Sequence, residues 1–194
     1  MCAAKVAGGT KLDAALARYL DNATLTMRAG LLENATEPDG TPTALVAFWQ
    51  EYGATIQHPG GTKYINDAVA NGRYVGTRFV SNDFSGEHKT TQAHEINIPP
   101  RPFMRTTAIA KAARWAKIVG VTLQRNGGDF DAALRLAGEA AVADIQATIG
   151  AWSDPPNAKS TIAKKGFDGP LRGSAAAPMQ HAVAYDIVDG APTE

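Results

Sequence analysis

The chain has 194 residues, and its 19 basic and 19 acidic side chains give a formal net charge of zero. Dedicated nucleic-acid-binding proteins usually carry a clear basic excess, so this balance argues against that class. The single cysteine, Cys2, excludes an internal disulfide and a metal cluster built on cysteines. The sequence shows neither a membrane-length apolar run nor a signal peptide, so we expect a protein made and assembled in a reducing cytoplasm.

The first 50 residues predict one short helix and two strands. Leu12, Leu16 and Leu20 recur at helical spacing, and residues 24–32 alternate between apolar and polar as a strand does. A loop of turn-forming residues at 34–42 precedes a second, more apolar strand at 43–49. We expect these two strands to pair antiparallel.

The segment 54–98 is rich in turn formers. Short strands at 63–65 and 73–80 flank Asn71-Gly72, a candidate hairpin turn, and residues 92–98 are extended again. Irregular segments this long are often functional. We therefore interpret residues 1–194 as a single domain in which 54–98 is an extended arm or hairpin insertion. A pair of surface hairpins that cover the sheet is the alternative.

A proline-rich strap at 98–102 leads into two long helices. Pro99, Pro100 and Pro102 force an extended approach, and the spacing of apolar residues predicts a helix over 102–123. Asn126-Gly127-Gly128 ends it, and Asp129 is a candidate N-cap for a second helix that runs to about 149. Small residues in that second helix favour packing on more than one side, against this chain or a neighbouring subunit; alanine chosen for helix propensity explains them equally well.

The alternating residues 179–188 predict a final strand that returns beside the early ones. Strands at both ends with helices between them indicate an α+β fold. We expect a mostly antiparallel sheet covered on one face by two long helices and one short N-terminal helix, with a projecting loop or hairpin arm.

The sequence contains no recognised catalytic motif, and we predict no enzyme activity, no cofactor and no metal. His88 and His94, with Glu87 and Glu95 beside them, form only a weak candidate metal site, because exposed loop histidines are commoner than ligands. Asp129 and Asp131 are explained better by helix capping than by paired acid–base chemistry.

Two stretches resemble one family, the tail-completion (head–tail joining, neck) proteins of long-tailed double-stranded-DNA bacteriophages. Residues 48–53, Phe-Trp-Gln-Glu-Tyr-Gly, resemble that family's E-[FY]-G strand end. Residues 98–105, Ile-Pro-Pro-Arg-Pro-Phe-Met-Arg, resemble its I-P-x-R-P-F-[LM]-R segment, which precedes the same long helix. The block 152–188 is similar to one in phage virion-morphogenesis proteins, but Arg172-Gly173-Ser174 stands where an Asp-Thr-Gly is usual.

The resemblance implies a structural virion protein of the neck. It would be a subunit of a hexameric or dodecameric ring that joins the head connector to the tail, with double-stranded DNA passing through without specific binding. Its partners would be further copies of itself, the connector or adaptor protein, and the tail tube or terminator protein. The alternatives are a tail terminator and a DNA-packaging or capsid-linked binding module.

In that picture the candidate interface residues are Arg101, Phe103, Arg105, Trp49 and Tyr52, because aromatic and arginine side chains are enriched at interfaces. Phe103 has a plainer alternative role, which is to seal the core under the helix. The DNA-linked alternative would instead bring six basic residues onto one face: Lys111, Arg114, Lys117, Lys159, Lys164 and Lys165.

Overall fold

The computed structural model describes residues 10–21, 24–31, 35–37, 40–70, 73–173 and 178–190. The chain divides into two compact units, the first made of Met1–Tyr52 and Pro100–Glu194 and the second of Gly53–Pro99. The described helices are α1 (Thr10–Asp21), α2 (Thr43–Tyr52), α3 (Phe103–Asn126), α4 (Phe130–Ala151), α5 (Lys159–Lys165) and α6 (Pro178–His181). The described strands are β1 (Leu25–Leu31), β2 (Ala54–His58), β3 (Lys63–Ala70), β4 (Arg73–Phe79), β5 (Lys89–Thr90), β6 (His94–Ile98) and β7 (Val183–Asp189).

The first unit is built around one antiparallel strand pair and a helix that covers it. β1 pairs with β7, so that Leu25 lies opposite Asp189 and Leu31 opposite Val183. α4 packs against both strands, and α3 packs along α4. A two-stranded sheet is marginal by itself, so the helical cover is what stabilises it. The core beneath the helices consists of Ala47, Phe103, Ile145, Ile149, Leu171, Met179 and Val183.

The small residues of α4 allow its close approach to the sheet. Ala133, Ala137 and Ala141 are buried, and a Cβ added at Gly138 would lie 2.4 Å from Cδ2 of Tyr185 on β7. The helix therefore packs on more than one side, against the β1–β7 pair and against α3, and all of these elements belong to the same unit.

The residues at the ends of the two long helices cap them as the sequence predicts. The Asp129 side chain accepts a hydrogen bond from the backbone N–H of Ala132 and so caps α4. Gly127 ends α3 with a left-handed φ of 70°, a conformation that favours glycine. These two predictions are confirmed. Both could be made from the sequence because the interactions involved span only a few residues.

The predicted strand at 43–49 is wrong, because this segment is the helix α2. Its buried residues are Thr43, Ala47 and Glu51, which lie four residues apart on one helical stripe. A short apolar run is compatible with a buried strand and with a helix. Here the residues at helical spacing are the ones that pack into the interior. The N–H groups of Leu45 and Val46 bond to the Pro42 carbonyl and begin the helix.

The final strand is present, but it begins at Val183 and not at 179. Residues 178–181 form α6, where Pro178 occupies the first helical position that suits proline. Met179 belongs to the core from this helix. The pairing of the last strand with the first is confirmed.

The second unit consists of paired strands. β2 pairs antiparallel with β6, with Ile56 opposite Ile96, while β3 lies between β4 and β5. The candidate turn at Asn71-Gly72 lies outside the described residues. The α+β class is confirmed, but its strands form three small antiparallel sheets instead of one. The role of 54–98 as an arm stays a prediction.

Candidate interaction surface

The titratable side chains that the sequence singled out have structural partners. His94 stacks on His58 across β2 and β6, with ring centroids 4.9 Å apart, and not on His88. Asp129 caps α4, and Asp131 bonds to Arg135. Among the described residues, no group of three or more His, Cys, Asp or Glu side chains is placed to hold a metal ion.

The junction between the end of α2 and the start of α3 is held by Glu51. This carboxylate, 8% exposed, accepts hydrogen bonds from the backbone N–H groups of Met104 at 2.9 Å and Arg105 at 3.2 Å. A helix N-terminus has unpaired N–H groups and a partial positive charge, so a carboxylate is stable there despite its burial. Pro102, the N-cap residue of α3, supplies no side-chain bond, and Glu51 takes over that function.

Arg101 connects the same junction to the C-terminal block. Its guanidinium donates to Oε1 of Gln50 at 2.8 Å and to the backbone carbonyls of Pro155 at 3.1 Å and Pro156 at 3.3 Å. Burial lowers the pKa of Arg101, and the Asp168 carboxylate opposes that shift. The carbonyl acceptors replace the water that the buried guanidinium has lost.

Arg101 and Phe103 are not available to a docking partner, which corrects their assignment as interface residues. Arg101 is 6% exposed and Phe103 is fully buried. The strap brings both side chains into the interior of their own unit, where Phe103 is the largest fully buried side chain. Its plainer role, sealing the core, is the one that the structure shows.

An exposed apolar ridge instead runs along the outer side of α2. We call it the α2 face and define it as Leu45, Phe48 and Tyr52, which are 41%, 56% and 60% exposed. The rings of Phe48 and Tyr52 lie 4.8 Å apart, and the Arg105 guanidinium lies 5.3 Å from the centre of the Tyr52 ring. Exposed aromatic and arginine side chains in contact are typical of protein-binding surfaces.

A groove of about 500 Å³ adjoins this ridge. It lies between β1, α2 and α3, and Leu31, Met104 and Ala108 contribute to its mostly apolar lining. Concave apolar surface beside exposed aromatic rings is unusual for a face that meets only water. The α2 face and its groove are therefore the candidate interaction surface of the first unit.

Two of the five predicted interface residues, Tyr52 and Arg105, lie together at this surface, whereas Trp49 is half-buried. Leu45 and Phe48 were missed because a strand was assigned to their segment. The spacing 45, 48 and 52 is helical, so it was the signal that could have revealed them.

Two of the basic residues named for the DNA-linked alternative, Arg114 and Lys165, have separate partners within the chain. Arg114 forms an ion pair with Asp144. Lys165 donates to the Gly169 carbonyl at 2.8 Å and lies 4.8 Å from the centre of the Phe167 ring, and burial lowers its pKa. The Lys164 side chain lies outside what the structure describes.

Comparisons of the chain with protein-family models, with curated proteins and with solved structures gave no significant match. Across the described ranges, no helix combines the length and the apolar character that a membrane span requires.

Proposed function

We propose that the chain is a structural protein of a bacteriophage neck, a ring subunit that joins the head connector to the tail and leaves a channel for DNA. One observation carries the proposal: the two stretches that resemble tail-completion proteins meet in space with the block that resembles phage virion-morphogenesis proteins. Gln50 and Glu51 of the first stretch bond to Arg101 and Met104 of the second, and Arg101 bonds to Pro155 in the third.

Chance similarity in three separate stretches would not require them to meet. Here the glutamate of E-Y-G caps the helix that R-P-F begins, and the arginine of R-P-F bonds to the carbonyls of Pro155 and Pro156 in the third stretch. The arginine and phenylalanine of that second motif are both buried. This supports reading the three stretches as one structural unit.

The surface properties also support a role in assembly. The α2 face offers exposed aromatic rings to a partner, and the balanced charge suits a conduit that must not hold DNA, because phosphate affinity grows with each cationic contact.

Electron microscopy of a phage whose copy of this gene carries an early stop codon tests the proposal. We expect full heads and separate tails without the protein, and joined virions when a plasmid supplies the wild-type chain. Antibodies against the chain should label joined particles at the neck. Normal virions from the stop-codon phage, or label confined to the capsid shell, would overturn the neck assignment.

A gel-shift titration with linear double-stranded DNA tests the conduit reading. We expect no retained complex at moderate salt, since no large set of phosphates would be neutralised. A tight complex that weakens steeply with salt would instead favour the DNA-packaging alternative.

A further inference from the structure

The first unit has a second groove, between α4 and β7, with a volume of about 450 Å³. We call it the α4 groove and define it as Glu139, Val142, Ala143, Gln146, Ala184 and Tyr185. Leu136, one turn before Glu139 on the same helix, is 48% exposed. The groove thus offers apolar surface next to an acidic group.

The α2 face has Arg105 beside it, and the α4 groove has Glu139 in its lining and, next to Tyr185, Arg135, which is paired with Asp131. The Arg105 side chain is 56% exposed and forms an ion pair of 3.7 Å with the buried Glu51 carboxylate, which also accepts two backbone N–H groups. Glu139 is exposed and forms no ion pair within the described part of the chain. A charge of each sign is therefore presented to a partner beside apolar surface.

We propose that the α2 face of one copy docks into the α4 groove of a second copy, with the rings of Phe48 and Tyr52 in the groove and Arg105 against Glu139. The inference rests on the proposed function, because it names the contact between neighbouring ring subunits. The two patches differ, so the contact is heterologous and repeats around a closed ring.

Charge selects this arrangement over the symmetric ones. A two-fold contact between two α2 faces would bring one Arg105 towards the other, and a two-fold contact between two α4 grooves would do the same with Glu139. Like charges brought together across an interface oppose association, whereas the proposed pairing brings opposite charges together.

Disulfide trapping between copies tests the inference even if the free subunits associate weakly. On a Cys2→Ser background, the variant with both Phe48→Cys and Ala143→Cys should give, on mild oxidation, a ladder of covalent oligomers that ends at the ring size. The single variants mixed one to one should give dimers and nothing larger. The matched control carries Phe79→Cys, at an exposed phenylalanine of the second unit, together with Ala143→Cys, and should give no ladder.

Two results would overturn the inference. One is a Phe48→Cys and Ala143→Cys variant that gives no more oligomer than the control. The other is Phe48→Cys alone forming dimers as readily as the mixture, which would indicate a two-fold contact. Circular dichroism of each variant tests whether it is folded, so that a failed ladder can be distinguished from unfolding.

Charge exchange gives an independent readout. Arg105→Glu and Glu139→Arg, each added to one partner of the trapped mixture, should lower the dimer yield about tenfold at low salt, and the two together should restore it. If trapping fails while antibodies still label the neck, the ring uses another contact and the proposed function stands. If trapping succeeds while neck labelling fails, the self-contact stands and the neck assignment falls.

Discussion

Replacing Glu51 by alanine should destabilise the first unit strongly. The change removes a buried carboxylate that accepts two backbone hydrogen bonds at the start of α3, and it leaves both N–H groups without that acceptor. Hydrogen bonds to a charged group contribute about 1.5–3 kcal/mol each, but these two share one carboxylate and do not add fully. We expect the free energy of unfolding to fall by about 2–4 kcal/mol.

Tryptophan fluorescence during urea unfolding measures this change in the right place. Trp49, Trp115 and Trp152 are the three tryptophans of the chain, and all belong to the first unit. With a urea dependence of about 2 kcal/mol per molar, the midpoint should fall by about 1–2 M.

Two variants show whether the carboxylate itself is responsible. Glu51→Gln keeps one acceptor oxygen and should lose about half as much stability. Glu139→Ala removes an exposed carboxylate from the same unit and should change stability by less than about 0.5 kcal/mol. If Glu51→Ala and Glu139→Ala unfold at the same urea concentration, Glu51 does not hold the start of α3 and the account of the junction is incorrect.

Two further changes test packing and pH dependence. Gly138→Ala should lower the free energy of unfolding by about 1–3 kcal/mol, because the added Cβ would meet the Tyr185 ring. Gly120→Ala, in open space on α3, should raise it by about 0.5–1 kcal/mol. Urea midpoints compare the two variants, and equal effects would contradict the close approach of α4 to β7. The hydrogen bond from Arg28 lowers the pKa of Asp186 below its ordinary value of 3.8. The stability difference between wild type and Asp186→Asn should therefore be complete well above pH 3.8 and shrink as the pH falls through the lower folded-state pKa, and a difference that does not change with pH would refute this.

Most of the features that the sequence predicted correctly depend on interactions between near neighbours. Asp129 reaches an N–H three residues ahead, and Gly127 permits a backbone conformation at its own position. The strap and both long helices follow from such rules and from the periodicity of apolar residues, whereas the pairing of the first strand with the last joins residues far apart in the chain. Information of the former kind lies within a window of a few residues.

The secondary structure of the segment that forms α2 could not be predicted from its own sequence. Its apolar run satisfies a buried strand and a helix alike, and the choice depends on which side chains find a core to enter. Thr43, Ala47 and Glu51 are buried on one side of the helix. As a result, Leu45, Phe48 and Tyr52 form an exposed ridge on the opposite side.

The role of Arg101 was also beyond local reasoning. An arginine between prolines is usually exposed, and its acceptors, the carbonyls of Pro155 and Pro156, lie more than fifty residues away. Only the folded chain brings these carbonyl groups to the guanidinium. The same distance explains why an interface role was assigned to a side chain that stabilises the interior.

This arrangement makes docking and folding separable by mutation. Substitutions in the strap remove interior contacts, so a loss of assembly in Arg101 or Phe103 variants would report unfolding as readily as lost docking. The two sides of α2 behave differently, because one side enters the core and caps α3 through Glu51 while the other meets solvent. Changes confined to Phe48 and Tyr52 remove exposed rings and leave the junction intact. A variant of that kind that folds normally but does not assemble would therefore assign the defect to the surface itself.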